Sequence, residues 1–317
     1  MKIKPNFLFF IFTILALPAY AAESDTMRVT LLGTGSPVPS ITRFSQSTLV
    51  EAGDLKFLID AGRGASIRLN QAGVRLSDID AVFITHFHHD HISGLADLLI
   101  TSWVAAPFGG RQIPLEVYGP QGILEVTNGL KAAYRRDNEI RIADEKIPRE
   151  GAEYDVTEYL SNGVVFDRNG VKVTAFEVNH GELIKPAYGY RVNFGGRSML
   201  ISGDTKYDER IISEANGVDV LIHEVAIATP ELIRQYPLLV NVFEHHTYPE
   251  EAGKIFSAVK PKLAVYSHII LPSISGGAPV TVDDLITQTR TSYQGPLLVG
   301  DDLTVIDIAD EVTFRKN

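Results

Sequence analysis

The chain has 317 residues, of which 45% are hydrophobic and 21% are charged, and its net charge at pH 7 is −10. This composition is typical of a globular protein and excludes fibrous, collagen-like and largely disordered chains. The sequence contains no cysteine, which excludes disulfide bonds and an anchor attached through cysteine. Because an acidic surface repels polyanions, we expect no nucleic acid among the partners of this chain.

The N-terminus has the features of a secretory signal peptide over residues 1–21. Two lysines precede an apolar run over residues 7–17, and Ala19-Tyr20-Ala21 matches a signal-peptidase cleavage pattern. The run is short for a membrane span, which needs about 20 residues; an uncleaved anchor is the alternative. We therefore predict a mature chain of residues 22–317 that forms one domain, is periplasmic or secreted, and keeps no stable membrane anchor.

In the first half of the chain, strands alternate with helices. Apolar patterns and turn signals predict strands and helices in the following order: a strand over 27–32, two strands around the turn at 52–54, a helix over 65–74, a strand over 78–86, a helix over 92–106, a strand over 113–120 and a helix over 122–136. The charged stretch over 136–160 matches no regular pattern, so we predict irregular structure there.

The second half contains hairpins followed by alternating helices and strands. The elements predicted are hairpins over 163–180 and 188–205 that turn at Asn169-Gly170 and Gly195-Gly196, helices over 208–216, 249–260 and 281–293, and strands over 218–226, 262–270 and within 296–308. No linker separates the two halves. The pattern predicts an α/β fold in which two sheets pack together and are covered by helices.

The stretch THFHHDH, residues 85–91, concentrates four histidines and an aspartate between a strand and a helix. His86 and His88 are two residues apart in extended chain, so both side chains point to the same side. Asp90 and His91 lie where the next helix begins, although Asp90 would also suit a helix N-cap. Imidazole and carboxylate groups suit zinc, iron or manganese, so this stretch predicts a metal site.

The motif HFHHDH resembles the first zinc-binding motif of the metallo-β-lactamase-fold hydrolases. The resemblance implies a four-layer αββα sandwich and further ligands at the ends of later strands. Three residues stand in the order of that family: His180 in EVNHG, Asp204 in LISGDT and His268 in AVYSHII. Each of the three, taken alone, would equally suit a structural role.

By this resemblance the chain would bind two zinc ions, with iron or manganese as alternatives. The implied ligands are His86, His88 and His180 for one ion, Asp90, His91 and His268 for the other, and Asp204 as the bridge between them. His89 has no role in the family pattern, so we expect it to tolerate replacement. A bridging carboxylate is typical of family members that hydrolyse phosphodiesters and thioesters.

Three further stretches resemble the ribonuclease Z-like branch: LLGTGSPVP at 31–39, LIHEVA at 221–226 and EHHTY at 244–248. The resemblance implies that Glu224 and His246 form a hydrogen-bonded pair beside the metals, and that His246 protonates the leaving oxygen. Together with Asp90 they form the predicted catalytic set. His245 is a competing candidate for the acid, and a purely structural role is the alternative for the pair.

Bacterial ribonuclease Z carries an arm that grips tRNA, inserted soon after the residue matching His180. Here the chain runs directly from His180 to Asp204, and HEVA replaces the usual H-E-A-T. With the acidic charge and the leader, these departures lead us to reject tRNA processing and to expect an arylsulfatase-like or phosphodiesterase-like enzyme.

We therefore predict an exported hydrolase of small phosphodiesters or sulfate esters, with a metal-bridged hydroxide as nucleophile. It would act on a small-molecule ester, and a homodimer is compatible with the branch. The alternatives are a lactonase or β-lactamase that attacks a carbonyl and, less favoured, a ribonuclease Z-type nuclease. The least favoured alternatives are a metal-binding protein without activity and an iron-containing oxidoreductase.

Overall fold

The computed structural model describes residues 25–272 and 280–316. Within them, two β-sheets lie face to face and helices cover both outer faces. The predicted α/β sandwich of four layers is thereby confirmed. The strands are β1 (Met27–Gly33), β2 (Ser47–Ala52), β3 (Leu55–Ile59), β4 (Ala81–Phe83), β5 (Leu115–Pro120), β6 (Tyr154–Tyr159), β7 (Gly163–Arg168), β8 (Val171–Glu177), β9 (Tyr188–Phe194), β10 (Arg197–Ile201), β11 (Val220–Ala226), β12 (Leu263–Ile270), β13 (Leu297–Val299), β14 (Thr304–Ile308) and β15 (Val312–Arg315).

The first sheet has the strand order β15-β14-β1-β2-β3-β4-β5-β6, and the second has the order β13-β12-β11-β10-β9-β8-β7. In each sheet an antiparallel part continues into parallel strands: β3 to β6 in the first sheet, and β10 to β13 in the second. The carboxyl ends of parallel strands meet at one edge of a sheet, which is where ligand sites form in such sheets.

The helices lie on the outer faces of the two sheets. They are α1 (Ala65–Gln71), α2 (His89–Ile92), α3 (Leu95–Trp103), α4 (Ile123–Asp144), α5 (Glu209–Glu214), α6 (Pro230–Gln235), α7 (Leu239–Phe243), α8 (Pro249–Val259) and α9 (Val282–Thr289). Two short 3-10 turns span Leu76–Asp78 and Arg149–Ala152.

Aromatic residues fill the space between the two sheets. Phe83 of the first sheet meets Phe166 and Tyr190 of the second edge to face, with ring centroids 5.7 Å apart in both pairs. Leucines of α3 pack on the outer face of the first sheet, while Ile255 and Phe256 of α8 pack on the second. Burial of apolar surface on both faces of each sheet therefore holds the four layers together.

Both predicted hairpin turns are present. Asn169 and Gly170 have φ of 52° and 78°, and Gly195 and Gly196 have φ of 55° and 75°. Two consecutive positive φ angles define the turn whose twist matches the flanking strands, and Asn-Gly and Gly-Gly adopt it at low cost.

The prediction of irregular structure over 136–160 was wrong. Helix α4 continues to Asp144, and β6 then pairs in parallel with β5. Within the helix, Arg141 bonds to Asp137 at 3.0 Å and to Glu145 at 2.8 Å, both at a spacing of four residues. Such pairs stabilise the C-terminal half of this helix, where apolar residues do not recur at helical spacing. Helices α6 and α7 were not predicted.

The leader predicted over residues 1–21 lies outside the described residues, so it stays a prediction, as does the periplasmic or secreted location. Among the helices that the structure describes, none combines the length and apolarity that a membrane crossing requires. On expression in a Gram-negative host we expect the protein in the periplasmic fraction. Its intact mass should equal that of a chain whose first residue is Ala22. Recovery of a cytoplasmic protein that retains residues 1–21 would contradict the leader.

Candidate metal centre

Four stretches at strand ends converge on one edge of the sandwich. The loop after β4 and the one-turn helix α2 carry His86 to His91, from the first sheet. His180 and Asp204 follow β8 and β10 of the second sheet, and His268 lies within β12. Side chains far apart in sequence therefore meet between the two sheets.

Asp204 lies at the centre of this convergence. Its Oδ2 is 3.9 Å from His86 Nε2 and 3.7 Å from His180 Nε2. The same oxygen is 3.3 Å from His91 Nε2 and 3.3 Å from His268 Nε2. One carboxylate oxygen therefore faces histidines of both predicted ligand sets.

All seven predicted ligands gather into two groups. The first group contains His86, His88, His180 and Asp204, and the second contains Asp90, His91 and His268; within each group the ligand atoms lie within 4.8 Å of one another. In the first group His88 Nδ1 is 3.3 Å from His180 Nε2, and in the second Asp90 Oδ2 is 3.2 Å from His268 Nε2.

Several buried ligand atoms have no hydrogen-bond partner in the described protein. They are His86 Nε2, His91 Nε2, Asp90 Oδ1 and Asp204 Oδ1. Buried polar atoms are normally paired, since burial without a partner costs free energy. Nitrogen and carboxylate oxygen atoms turned towards a common point form a donor set that fits divalent metal ions.

Electrostatics favour metal-binding protonation states in His86, His180 and Asp204, but not in His91. Burial would lower the pKa of His91, but the charges of Asp204 and Asp60 hold it well above its usual range. Burial lowers the pKa of His86 well below its usual range and lowers that of His180 to about 3. Burial would raise the pKa of Asp204, but nearby histidines, His268 and His91 foremost, hold it well below its usual range. Neutral imidazoles and an ionised carboxylate are the forms that coordinate metals.

Asp60 contacts the His91 ring on the nitrogen that does not face Asp204. It was not among the predicted site residues. His91 Nδ1 donates to Asp60 Oδ2 at 2.8 Å, which leaves His91 Nε2 free to face Asp204. The backbone N–H of Thr85 donates to Asp60 Oδ1 at 2.8 Å, and Asp60 adopts a positive φ of 61°. Its position just after β3, the parallel neighbour of β4, is the sequence signal that could have identified it. A carboxylate behind a histidine ligand fixes its tautomer and ring orientation.

We expect Asp60→Asn to weaken metal binding by about ten- to a hundredfold, because loss of such a carboxylate removes the orienting charge. Titration of metal against a competing chelator measures the effect. The matched control is Asp54→Asn in the exposed turn between β2 and β3, where affinity should stay at the level of the unmodified protein. Equal affinities in all three proteins would exclude a supporting role for Asp60.

The predicted pair of Glu224 and His246 is in contact. His246 Nδ1 lies 3.1 Å from Glu224 Oε1, and the backbone N–H groups of Thr205 and Thr247 donate to the same oxygen at 3.2 Å and 3.0 Å. Burial, with the nearby Asp204 charge, raises the pKa of Glu224, whereas burial lowers the pKa of His246. A ring nitrogen of His246 lies within 4.8 Å of ligand atoms of Asp204 and His268.

Three other histidines stand outside the predicted ligand and catalytic sets, and His245 has a ring nitrogen within 4.8 Å of ring nitrogens of His180 and His246. His245 is half-buried, and its backbone carbonyl accepts a hydrogen bond from His180 Nδ1 at 2.9 Å. His89 is exposed, with Nε2 3.4 Å from Arg63 Nη2. His223 points to the opposite face of β11, where its ring packs 6.0 Å from Phe256.

The fold and this donor set define a metallo-β-lactamase-fold hydrolase. Solved structures with this fold include YhfI from Bacillus subtilis, with a TM-score of 0.68, 19% identity, and coverage of 89% of this chain and 100% of that chain. The short form of human tRNase Z has a TM-score of 0.64 and 23% identity, covering 88% of this chain and 98% of that chain.

Sequence comparison gives a narrower assignment. Ribonuclease Z of Mycobacterium sp. (strain KMS) is 34% identical over 298 residues, which cover 91% of this chain and 99% of that relative. Ribonuclease Z of Mycobacterium marinum is 34% identical over 284 residues, with coverage of 89% and 99%. The family model described as anti-Pycsar protein Apyc1 matches residues 27–240. The chain therefore belongs to the family that the Apyc1 model describes, and it is also a relative of the mycobacterial ribonuclease Z proteins.

These relatives correct two predictions. An exported hydrolase of small phosphodiesters or sulfate esters conflicts with relatives named ribonuclease Z, and so does the expectation of no nucleic acid partner. The short connection from His180 to Asp204 did not justify the exclusion of tRNA processing. A mycobacterial relative named ribonuclease Z aligns with this chain over 99% of its own length. Net charge describes the whole surface and not the site, so it could not exclude RNA either.

Proposed function

We propose that this chain is a metal-dependent ribonuclease that hydrolyses phosphodiester bonds in RNA. The observation that carries the proposal is Asp204 Oδ2, which faces both groups of histidines at 3.3 to 3.9 Å. Relatives named ribonuclease Z supply the substrate class. The carboxylate would serve as a shared ligand, and a pair of cations is suited to phosphate ester hydrolysis.

Two divalent cations are proposed as the resident metals, zinc first and iron or manganese as alternatives. The ligands are those gathered by the fold, with His86, His88 and His180 on one side, Asp90, His91 and His268 on the other, and Asp204 shared. Cations held there supply positive charge that polarises phosphate oxygens and lowers the pKa of water.

His246 is proposed to donate a proton to the departing ribose oxygen. Its Nδ1 is committed to Glu224, so the ring is held in one orientation with its other nitrogen available. A histidine oriented by a carboxylate can supply and recover a proton near neutral pH. His245 has no side-chain hydrogen bond to a carboxylate within the described residues, so His246 is the better-oriented acid.

We expect His246→Gln to lower the rate of RNA cleavage by about a hundred- to ten-thousandfold, the range for loss of a positioned acid. His245→Gln is the matched comparison and should have a much smaller effect. Single-turnover cleavage of labelled RNA gives the rates, and metal content should be unchanged in both proteins. A larger loss in the His245 variant would assign the acid role to that residue.

Incubation of the zinc-loaded protein with two labelled RNAs tests the proposed function. One RNA is a tRNA with a 3′ extension and the other is unstructured; bis(p-nitrophenyl) phosphate serves as a general phosphodiester. Metal-dependent cleavage of RNA is expected, and Asp204→Asn purified in parallel should show none, which controls for contaminating nucleases. Turnover of bis(p-nitrophenyl) phosphate with both RNAs intact would overturn the proposal.

A further inference from the structure

A cavity of about 540 Å³ has Val178 and Asn179 in its lining, and these two residues directly precede the proposed metal ligand His180 in the chain. Gln121 also lines the cavity, and the next residue, Gly122, is so close to Phe87 that an added Cβ would lie 3.0 Å from that ring. The cavity therefore lies beside the loop that carries His86 and His88, and its volume is typical of a site for a small organic group.

A tyrosine ring is fixed in the wall of this cavity. The hydroxyl of Tyr159 is hydrogen-bonded to that of Tyr190, which donates to the carbonyl oxygen of Ile84 at 2.5 Å. The Tyr159 ring also meets Tyr188 edge to face, with centroids 5.1 Å apart. Because the Tyr159 hydroxyl is bonded to Tyr190, the ring is the part of this side chain that can contact a ligand in the cavity. A fixed aromatic ring is a stacking surface for a nucleobase.

The cavity also offers polar groups without internal partners. Lys185 is exposed and forms no ion pair or side-chain hydrogen bond within the described part of the chain, and the Gln121 amide likewise has no partner there. Arg210, by contrast, is held by Asp208, with Nη2 to Oδ2 at 2.7 Å. A free ammonium group suits a phosphate, and a free amide can donate to and accept from a base edge.

We propose that this cavity binds one nucleotide of the RNA strand next to the cleaved phosphodiester, with its base against Tyr159 and a phosphate on Lys185. The inference rests on the RNA hydrolysis proposed above, and it specifies where the strand leaves the metal centre. Stacking on Tyr159 and the Lys185 cation would hold the nucleotide, while the Glu177 carboxylate in the lining lies 3.8 Å from Arg210 Nη1.

Calorimetric binding of AMP, UMP and inorganic phosphate to the zinc-loaded protein tests this inference. We expect both nucleotides to bind at least about tenfold more tightly than phosphate, because stacking adds to the phosphate contact. Lys185→Ala and Tyr159→Leu should each weaken nucleotide binding by about fivefold or more. Tyr159→Phe, which keeps the ring, and Lys254→Ala, on an exposed face of α8, should bind as the unmodified protein does.

Nucleotide affinities that equal the phosphate affinity, or that are unchanged in Lys185→Ala, would overturn the nucleotide site. Lys185 is exposed, so its variant tests the proposal even if Tyr159→Leu fails to fold. The two proposals fail differently. RNA cleavage without preferential nucleotide binding would remove only the cavity assignment. Nucleotide binding at the cavity without RNA cleavage would remove the ribonuclease and leave a nucleotide site that is unconnected to an RNA strand.

Discussion

Asp204→Ala is expected to reduce the metal content from two ions to one and to lower hydrolysis by more than about a hundredfold. Loss of a residue that only orients a ligand already costs about ten- to a hundredfold, and Asp204 Oδ2 faces histidines of both groups directly. Without this carboxylate, the first group would keep only neutral histidines to face a cation, whereas the second would keep Asp90. Elemental analysis gives the metal content, and initial rates on labelled RNA give the activity.

The matched control is Asp97→Ala on the exposed face of α3, which should keep both ions and full activity. If Asp204→Ala retains two ions per chain and cleaves at a rate near that of the control, Asp204 is not a shared ligand. If one ion remains and the rate is unchanged, a single ion suffices for hydrolysis.

Asp302→Ala is expected to lower the free energy of unfolding by about 3–5 kcal/mol, the cost of removing one partner of a buried ion pair. Asp302 accepts from Arg68 Nη2 at 2.8 Å, and the side chains of Asp302 and Arg68 are only 3% and 11% exposed. The carboxylate also accepts the backbone N–H groups of Thr34 and Phe44, at 2.9 Å and 2.7 Å. Its removal leaves a guanidinium charge and two backbone donors without their acceptor.

Denaturant unfolding of the metal-free protein measures this cost without the added stability of bound metal. Asp310→Ala is the control, since Asp310 pairs with Arg197 but its side chain is 95% exposed, and such surface pairs contribute about 0–1 kcal/mol. A loss in Asp302→Ala no greater than that of the control would show that loop hydrogen bonds to water compensate for the carboxylate.

Turn chemistry and apolar runs predicted most of the fold. Asn169-Gly170 and Gly195-Gly196 specify tight hairpins because few other residue pairs adopt their φ angles at low cost. The C-terminal half of α4 was not predicted because it has few apolar side chains and is stabilised by ion pairs such as that of Arg141 with Asp137. Helices α6 and α7 were missed because each is shorter than two turns and lacks a periodic pattern long enough to detect.

The sequence predicted which side chains converge, because His86 to His91 form a dense local motif and the later residues stand in the order of the family that this motif resembles. Asp60 was missed because its only sequence signal is its position at the end of β3, and its partner His91 lies 31 residues away. The expectation of no nucleic acid partner, which the relatives named ribonuclease Z contradict, rested on whole-chain charge. That charge averages over the surface and does not describe the groups at any one cavity.

The ligands that meet at Asp204 come from both sheets and from both halves of the chain, so bound metal would act as a cross-link between the two layers. An ion that binds only the folded chain adds about 2.7 kcal/mol when its free concentration is a hundred times its Kd. Resistance to unfolding should therefore rise with free metal and fall when a chelator is added. The unfolding midpoint thereby becomes a readout of metal occupancy that requires no substrate.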